Sequence, residues 1–222
     1  MIKSSTIRFL EELNENNNKD WFSLHKNDYE NAKNNFQTFI QQIINIHSGN
    51  DNSIMHLTAK DCIFRINKDI RFSKDKSPYK INFGASINKA GRKAWNTAGY
   101  YFHLQPGSSF AGGGIYMPEP KVLAKLRYAI EDNFDEFEDI IFNDNFQNIF
   151  GELSSEDGMK LIRVPKGFSP ESPAADFLKY KSFVAMASIS DKELLSDDII
   201  DKTLIIFEAI QPLINFINKY TQ

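Results

Sequence analysis

The stretch INFGASIN (residues 81–88) places Ile81, Phe83, Ala85 and Ile87 at every second position, with Asn82, Gly84, Ser86 and Asn88 between them. Successive side chains of an extended chain point to opposite faces, so this period of two reads as a β-strand with one buried and one polar face. Similar alternation occurs in CIFRIN (62–67) and YYFHLQ (100–105), and PGSS (106–109) is a turn signal before SFAGGGIY (109–116). Four strands in an antiparallel meander are expected from this middle third.

On either side the period changes to that of a helix. SSTIRFLEELNEN (4–16) carries Ile7, Leu10 and Leu13 at helical spacing after Ser and Thr cap candidates. Tyr29, Ala32, Phe36, Phe39, Ile43 and Ile46 then form one apolar stripe, which predicts a long helix from about 20 to 46. His25 falls on the backward extension of that stripe and reads as a packed histidine, and His47 falls at the helix end, where it favours the dipole without any catalytic role. Beyond the strands, MPEPKVLAKLRYAIEDN (117–133) and FDEFEDIIF (134–142) read as helices, the first opened by its prolines. MKLIRVP (159–165) and YKSFVAMASI (180–189) read as strands, the latter central because it is apolar on both faces. A last helix is expected from about 197, capped by Ser196 and kinked or split at Pro212. The fold class expected is α+β: one domain over 1–222, a mainly antiparallel sheet packed by helices, with no linker or repeat to divide it.

With 41% hydrophobic residues in 222, the chain can bury a substantial core, which excludes a disordered protein. The start, MIKSSTIRFLEELNE, lacks the uninterrupted apolar run of a secretory leader, and no stretch is long enough for a membrane span. A cytoplasmic location without a membrane partner is therefore expected. The single cysteine, Cys62, alternates with Phe64 and Ile66 and reads as a small core residue.

Charge is unevenly placed. Residues 60–93 carry ten Lys or Arg against three Asp or Glu, a local +7 in a chain of net charge −3. Within RINKDIRFSKDKSPYK (65–80), Arg71, Lys74, Lys76 and Lys80 surround a turn-prone Ser-Lys-Asp (73–75) and a Ser-Pro, as a surface connection projecting cations would. If Cys62, Phe64 and Ile66 point inward, Arg65 and Asn67 point outward, and the same alternation puts Asn82, Ser86, Tyr101, His103 and Gln105 on the polar face. Gly112, Gly113 and Gly114 would leave a floor without side chains, open to close approach. Arg65 offers a planar fork for phosphate or carboxylate, and Tyr101 and His103 are the candidates for proton transfer. Arg163, Lys166, Lys179 and Lys181 could extend the cationic surface. A water-facing polar sheet face is the competing explanation for all of this.

Other chemistry lacks its pattern. The four histidines form no His-x-x-x-His pair, so no metal is expected. The glycine run completes neither phosphate-loop template, no serine sits in a nucleophile elbow, and no cofactor is expected.

Four segments together carry a family resemblance: ENNNKDWFSLHKNDYENAK (15–33), FRINKDIRFSKDKSPYKINFGASI (64–87), AGYYFHLQPGSSFAGGGIYMPEP (98–120) and RVPKGFSPESPAADFLKYKSF (163–183). In this order they resemble the bacterial and fungal family called domain of unknown function 2461, over about 9–218. The resemblance implies a compact single domain and brings no catalytic residues with it. The residues themselves favour a small anionic partner, phosphate- or carboxylate-bearing, at Arg65, Arg71, Lys74, Lys76 and Lys80. A module that binds nucleic acid or an acidic protein through the same surface is the alternative.

Overall fold

The computed structural model describes residues 1–71, 74–155 and 158–222. Helices α1 (Ser4–Glu15), α2 (Lys19–Leu24), α3 (Lys26–His47) and α4 (Ala59–Cys62) precede strands β1 (Phe83–Ile87), β2 (Gly99–Leu104) and β3 (Ser109–Ile115). Helices α5 (Pro120–Asp132), α6 (Phe134–Phe142), α7 (Asp144–Phe150) and α8 (Ala175–Leu178) follow, then β4 (Phe183–Ile189), α9 (Asp191–Leu194) and α10 (Ile199–Thr221). The strands form an antiparallel sheet in the order β1-β2-β3-β4, so the fold is α+β as expected.

The chain forms two compact units. The first comprises residues 1–87, 101–111 and 188–204, and the second 88–100, 112–187 and 205–222. The chain passes from one unit to the other five times, once at the end of β1 and then within β2, β3, β4 and α10.

In the first unit α1 packs on α3, and the apolar stripe of α3 buries Ala32, Phe36, Phe39, Ile40 and Ile43. Phe36 stacks on Phe83 with ring centroids 5.5 Å apart, and Phe39 meets Phe102 edge-on at 4.9 Å. Such geometry is favoured by the ring quadrupole and adds about 0.5–1.5 kcal/mol per pair to area burial. In the second unit Phe137 lies between Phe183 and Phe216, at 6.3 and 5.5 Å, and Tyr100 stacks on Phe207 at 4.8 Å. Pro120 opens α5 at its first turn, where the missing N–H costs no helical bond.

Several elements differ from the sequence reading. The helix expected over 20–46 breaks at His25, whose φ of −102° and ψ of 23° separate α2 from α3. The half-buried His25 ring stacks on Trp21 at 4.0 Å, and its Nδ1 pairs with the Trp21 carbonyl at 2.9 Å. Because the apolar period resumes in phase, hydrophobic spacing alone does not show the break. CIFRIN is not a strand. Thr58 and Asp61 form a capping box that starts α4, so Cys62 ends a helical turn, and only isolated antiparallel bridges follow, Ile63 with Ala85 and Asn67 with Tyr79. Cys62 is buried. MKLIRVP likewise makes a single bridge, Lys160 with Tyr180.

YKSFVAMASI forms β4, but at the end of the sheet order rather than its centre. Residues 183–185 are nonetheless buried, and Ser154 N–H donates to the Val184 carbonyl at 2.8 Å, so a loop covers part of this edge. Helix α10 starts at Ile199 and continues through Pro212 instead of splitting there.

A candidate polar site on strand β2

All the groups that converge on β2 belong to the first unit. The chain entering β1 is fixed by side-chain bonds that imitate a strand partner. Asn17 Nδ2 donates to the Tyr79 carbonyl at 2.9 Å, and Tyr79 N–H donates to Asn17 Oδ1 at 3.1 Å. Phe22 stacks on the Tyr79 ring at 3.9 Å. Lys80 N–H donates to the Ile66 carbonyl at 2.8 Å and Lys68 N–H to the Pro78 carbonyl at 2.9 Å, which closes the base of the basic loop. Lys80 is therefore held next to Asn82 by the backbone.

Alternation along β2 puts Tyr101 and His103 on one face, and they are half-buried as the buried residues Tyr100, Phe102 and Leu104 turn the other way. Asn82 Nδ2 donates to His103 Nδ1 at 3.1 Å, the Tyr101 hydroxyl reaches the same nitrogen at 3.4 Å, and His103 Nε2 donates to Gln105 Oε1 at 3.1 Å. Two donors on Nδ1 and an acceptor on Nε2 select the neutral ring with its proton on Nε2. Phe110 of β3 stacks on His103 at 4.7 Å and 9°. Phe64, expected inward, is half-buried instead: its ring lies 6.5 Å from Tyr101 and carries the Lys80 ammonium at 5.2 Å.

The electrostatics follow from this burial. Burial pushes the Tyr101 phenol up to about 12. The His103 pKa is lowered by burial, which outweighs the opposite pull of the Gln105 bond, with a lesser lowering from Lys80. Lys80 is lowered too, by burial and then by the like charge of Arg65. Lys80 is thus the electrostatic neighbour of both Arg65 and His103, and Arg65 also acts on Asp69. Among the described residues no carboxylate lies within ion-pair distance of Arg65 or Lys80.

Arg71 and Lys76, two of the other expected cations, are engaged inside their own loop. Arg71 grips Asp69 with two bonds, Nε to Oδ1 at 3.0 Å and Nη2 to Oδ2 at 2.7 Å, and that hydrogen-bonded guanidinium holds Asp69 down at about 2. Lys68 pairs with Asp75, and Lys76 Nζ donates to the Ile70 carbonyl at 3.0 Å. Lys74 is exposed. These bonds of Arg71 and Lys76 stay within the loop. The turn expected at 73–75 begins at Ser73, which lies outside the described residues.

Ser86 sits half-buried in β1, two residues beyond Gly84. Gly112, Gly113 and Gly114 lie in the second unit and leave no open floor. A Cβ on Gly112 would stand 2.0 Å from the Ala185 carbonyl oxygen, one on Gly114 2.0 Å from that of Phe183, and one on Gly113 2.7 Å from that of Gly99. Neighbouring strand backbones occupy the space expected for a ligand. Arg163 and Lys179 border a shallow depression of about 550 Å³ in that unit, with Asp176 bonded to Lys179 at 2.7 Å. Sequence reasoning missed Gly84 and Phe110. A Cβ on Gly84 would stand 2.6 Å from the Tyr101 hydroxyl, so this glycine makes room for the phenol. Its signal was a glycine on the polar side of the INFGASIN alternation.

Among the described residues no group of three or more His, Cys, Asp or Glu side chains could hold a metal ion, and no helix is long and apolar enough to cross a membrane.

The molecule is thus an α+β protein with a short antiparallel sheet whose polar face centres on a hydrogen-bonded histidine and tyrosine. The family model described as "Conserved hypothetical protein (DUF2461)" matches residues 5–216, and the chain belongs to that family. No curated protein and no solved structure matches it.

Proposed function

We propose that the chain binds a small anion, phosphate- or carboxylate-bearing, at Arg65 and Lys80 beside the Tyr101 and His103 face. The observation that carries this reading is the half-buried Lys80 ammonium, placed against Arg65 and a neutral histidine with no carboxylate at ion-pair distance among the described residues. Two neighbouring cations repel each other, and a partly desolvated ammonium lacks part of its hydration, so an anion would relieve both costs.

Binding is favoured over proton transfer. Both His103 nitrogens are engaged, and a phenol near 12 is a weak acid at neutral pH. His103 and Tyr101 serve as a fixed polar wall, with Asn82 and Gln105 setting the ring. A macromolecular partner on the same surface has less support, since Arg71 and Lys68 already hold carboxylates of the loop.

The test is a thermal-shift titration at low ionic strength with inorganic phosphate, pyrophosphate and citrate. An anion at about a hundred times its dissociation constant adds about 2.7 kcal/mol, a rise of roughly 5–10 °C for a chain of this size. The rise should vanish in Arg65→Ala/Lys80→Ala and persist in Lys74→Ala/Lys76→Ala. No rise with any of the three anions, or equal loss in both double variants, refutes the placement.

A further inference from the structure

In the second unit an exposed aromatic patch lies on a basic turn. Trp95 is 67% exposed, Tyr116 58% and Met117 55%, far from the burial such side chains usually reach. Trp95 follows a short 3-10 turn, Gly91–Lys93, that carries Arg92 and Lys93, with Lys89 just before it. The turn and the segment after β3 are pinned together, because Glu119 N–H donates to Asn96 Oδ1 at 2.9 Å. Met117 has a φ of 43°, a region that favours glycine, and its N–H donates at 2.9 Å to the hydroxyl of the buried Ser182. Among the described residues Met117 is the one non-glycine with positive φ, a backbone cost sustained to hold a methionine in water.

From Lys76 to Pro118 the chain contains no Asp or Glu, so Lys89 and Lys93 have no acidic residue nearby in sequence, although the bond to Asn96 brings Glu119 to this turn. We propose that Trp95 and Tyr116 form a stacking platform for single-stranded nucleic acid, with Lys89 and Lys93 taking the phosphates. Every base offers a π-face to an aromatic ring, and a strand carries its phosphates alongside, which matches rings flanked by cations on a turn. A duplex groove calls for a helix or ribbon to enter it, whereas this patch is a turn and a loop. A membrane surface calls for an amphipathic helix with an aliphatic face, and here Met117 is the one aliphatic member. The patch shares no residue with the Arg65 and Lys80 site, so the two proposals stand or fall independently.

The test is fluorescence anisotropy of labelled 12-nucleotide oligo(dT) and oligo(U), with a matching duplex and anionic phosphatidylserine vesicles as comparisons. Single strands should bind at 50 mM salt and weaken steeply by 200 mM. Trp95→Ala should weaken binding roughly tenfold. Lys89→Ala/Lys93→Ala should flatten the log–log salt dependence by about 1.4, or about 0.7 for each phosphate no longer neutralised. Arg65→Ala/Lys80→Ala should leave it unchanged. All the altered side chains here are exposed or partly exposed, and far-ultraviolet circular dichroism confirms that each variant folds. As an independent reading, single strands should quench Trp95 emission in Trp21→Phe, which leaves one tryptophan of the two. No single-strand binding at 50 mM salt, binding unaffected by Trp95→Ala, or preference for duplex or vesicles overturns the proposal.

Discussion

Replacing Gly84 by alanine tests whether the Tyr101 hydroxyl is held where the structure puts it. The added Cβ would stand 2.6 Å from that oxygen and 3.3 Å from the ring carbon bearing it, with Phe64 at 3.6 Å. Overpacking of this kind costs about 1–3 kcal/mol, while exchanging glycine for alanine in a strand returns roughly 0.5–1 kcal/mol of backbone entropy. Gly84→Ala alone should therefore destabilise by about 1–2 kcal/mol. Tyr101→Phe removes a long 3.4 Å contact with His103 and should cost only about 0.5 kcal/mol, the low end for a hydrogen bond. In the double variant the nearest atom is gone, leaving a 3.3 Å contact that a few tenths of an ångström of movement relieve. Its cost should fall short of the summed single costs by about 1 kcal/mol. Urea unfolding of all four proteins gives the coupling, and unchanged slopes validate the comparison. Additivity within about 0.3–0.5 kcal/mol would refute the contact, because independent sites add to that precision.

A harsher result is expected at Gly112→Ala, where the obstacle is the Ala185 carbonyl rather than a side-chain tip: a loss of more than about 4 kcal/mol, read as insoluble expression or a collapsed urea midpoint. Gly107→Ala meets no atom and suffers only from its φ of 72°, so about 1–2 kcal/mol should be lost in the same unfolding assay. Glu193, bonded by Lys202 and by the Ser190 cap, is held at about 2 against an ordinary 4.5. Its contribution is complete above about pH 4.5 and lost as pH falls toward 2, so Glu193→Gln should flatten the acid limb of a stability–pH curve there. His103 has a lowered folded pKa, so the unfolded chain takes up its proton first. Stability should be full above pH 6.5 and decline as pH drops below it, and His103→Gln should abolish that decline in urea midpoints measured between pH 7.5 and 5.

The sequence showed the helices and strands whose burial is strictly periodic. Phe36 and Phe39 lie on a stripe of spacing three and four, and Phe83 and Ala85 on one of spacing two, because each face meets a continuous core. It misled where a few residues suffice to redirect the chain. The Thr58 and Asp61 capping box is visible in the sequence, yet the apolar alternation of Cys62, Phe64 and Ile66 outweighed it in the reading. At His25 the break preserves the phase of the stripe. For β4, a covering loop buries what strand pattern alone attributes to central position.

The polar site was legible along a strand and illegible across strands. Alternation alone places Tyr101 and His103 together, but Gly84 and Phe110 reach them only through the register of β1 and β3 on β2, which no single segment encodes. Charge counting failed for a related reason. A local excess of cations overstates an anion site where nearby carboxylates already hold some of them, as Asp69 holds Arg71 and Asp75 holds Lys68. The better signal is which cations those carboxylates leave unpaired in the fold. Arg65 lies four residues from both Asp61 and Asp69 and Lys80 five from Asp75, yet among the described residues the ion pairs of this loop are Arg71 with Asp69 and Lys68 with Asp75. For the half-buried Lys80, which water reaches only in part, no described carboxylate stands at ion-pair distance, and the proposed anion would supply the countercharge.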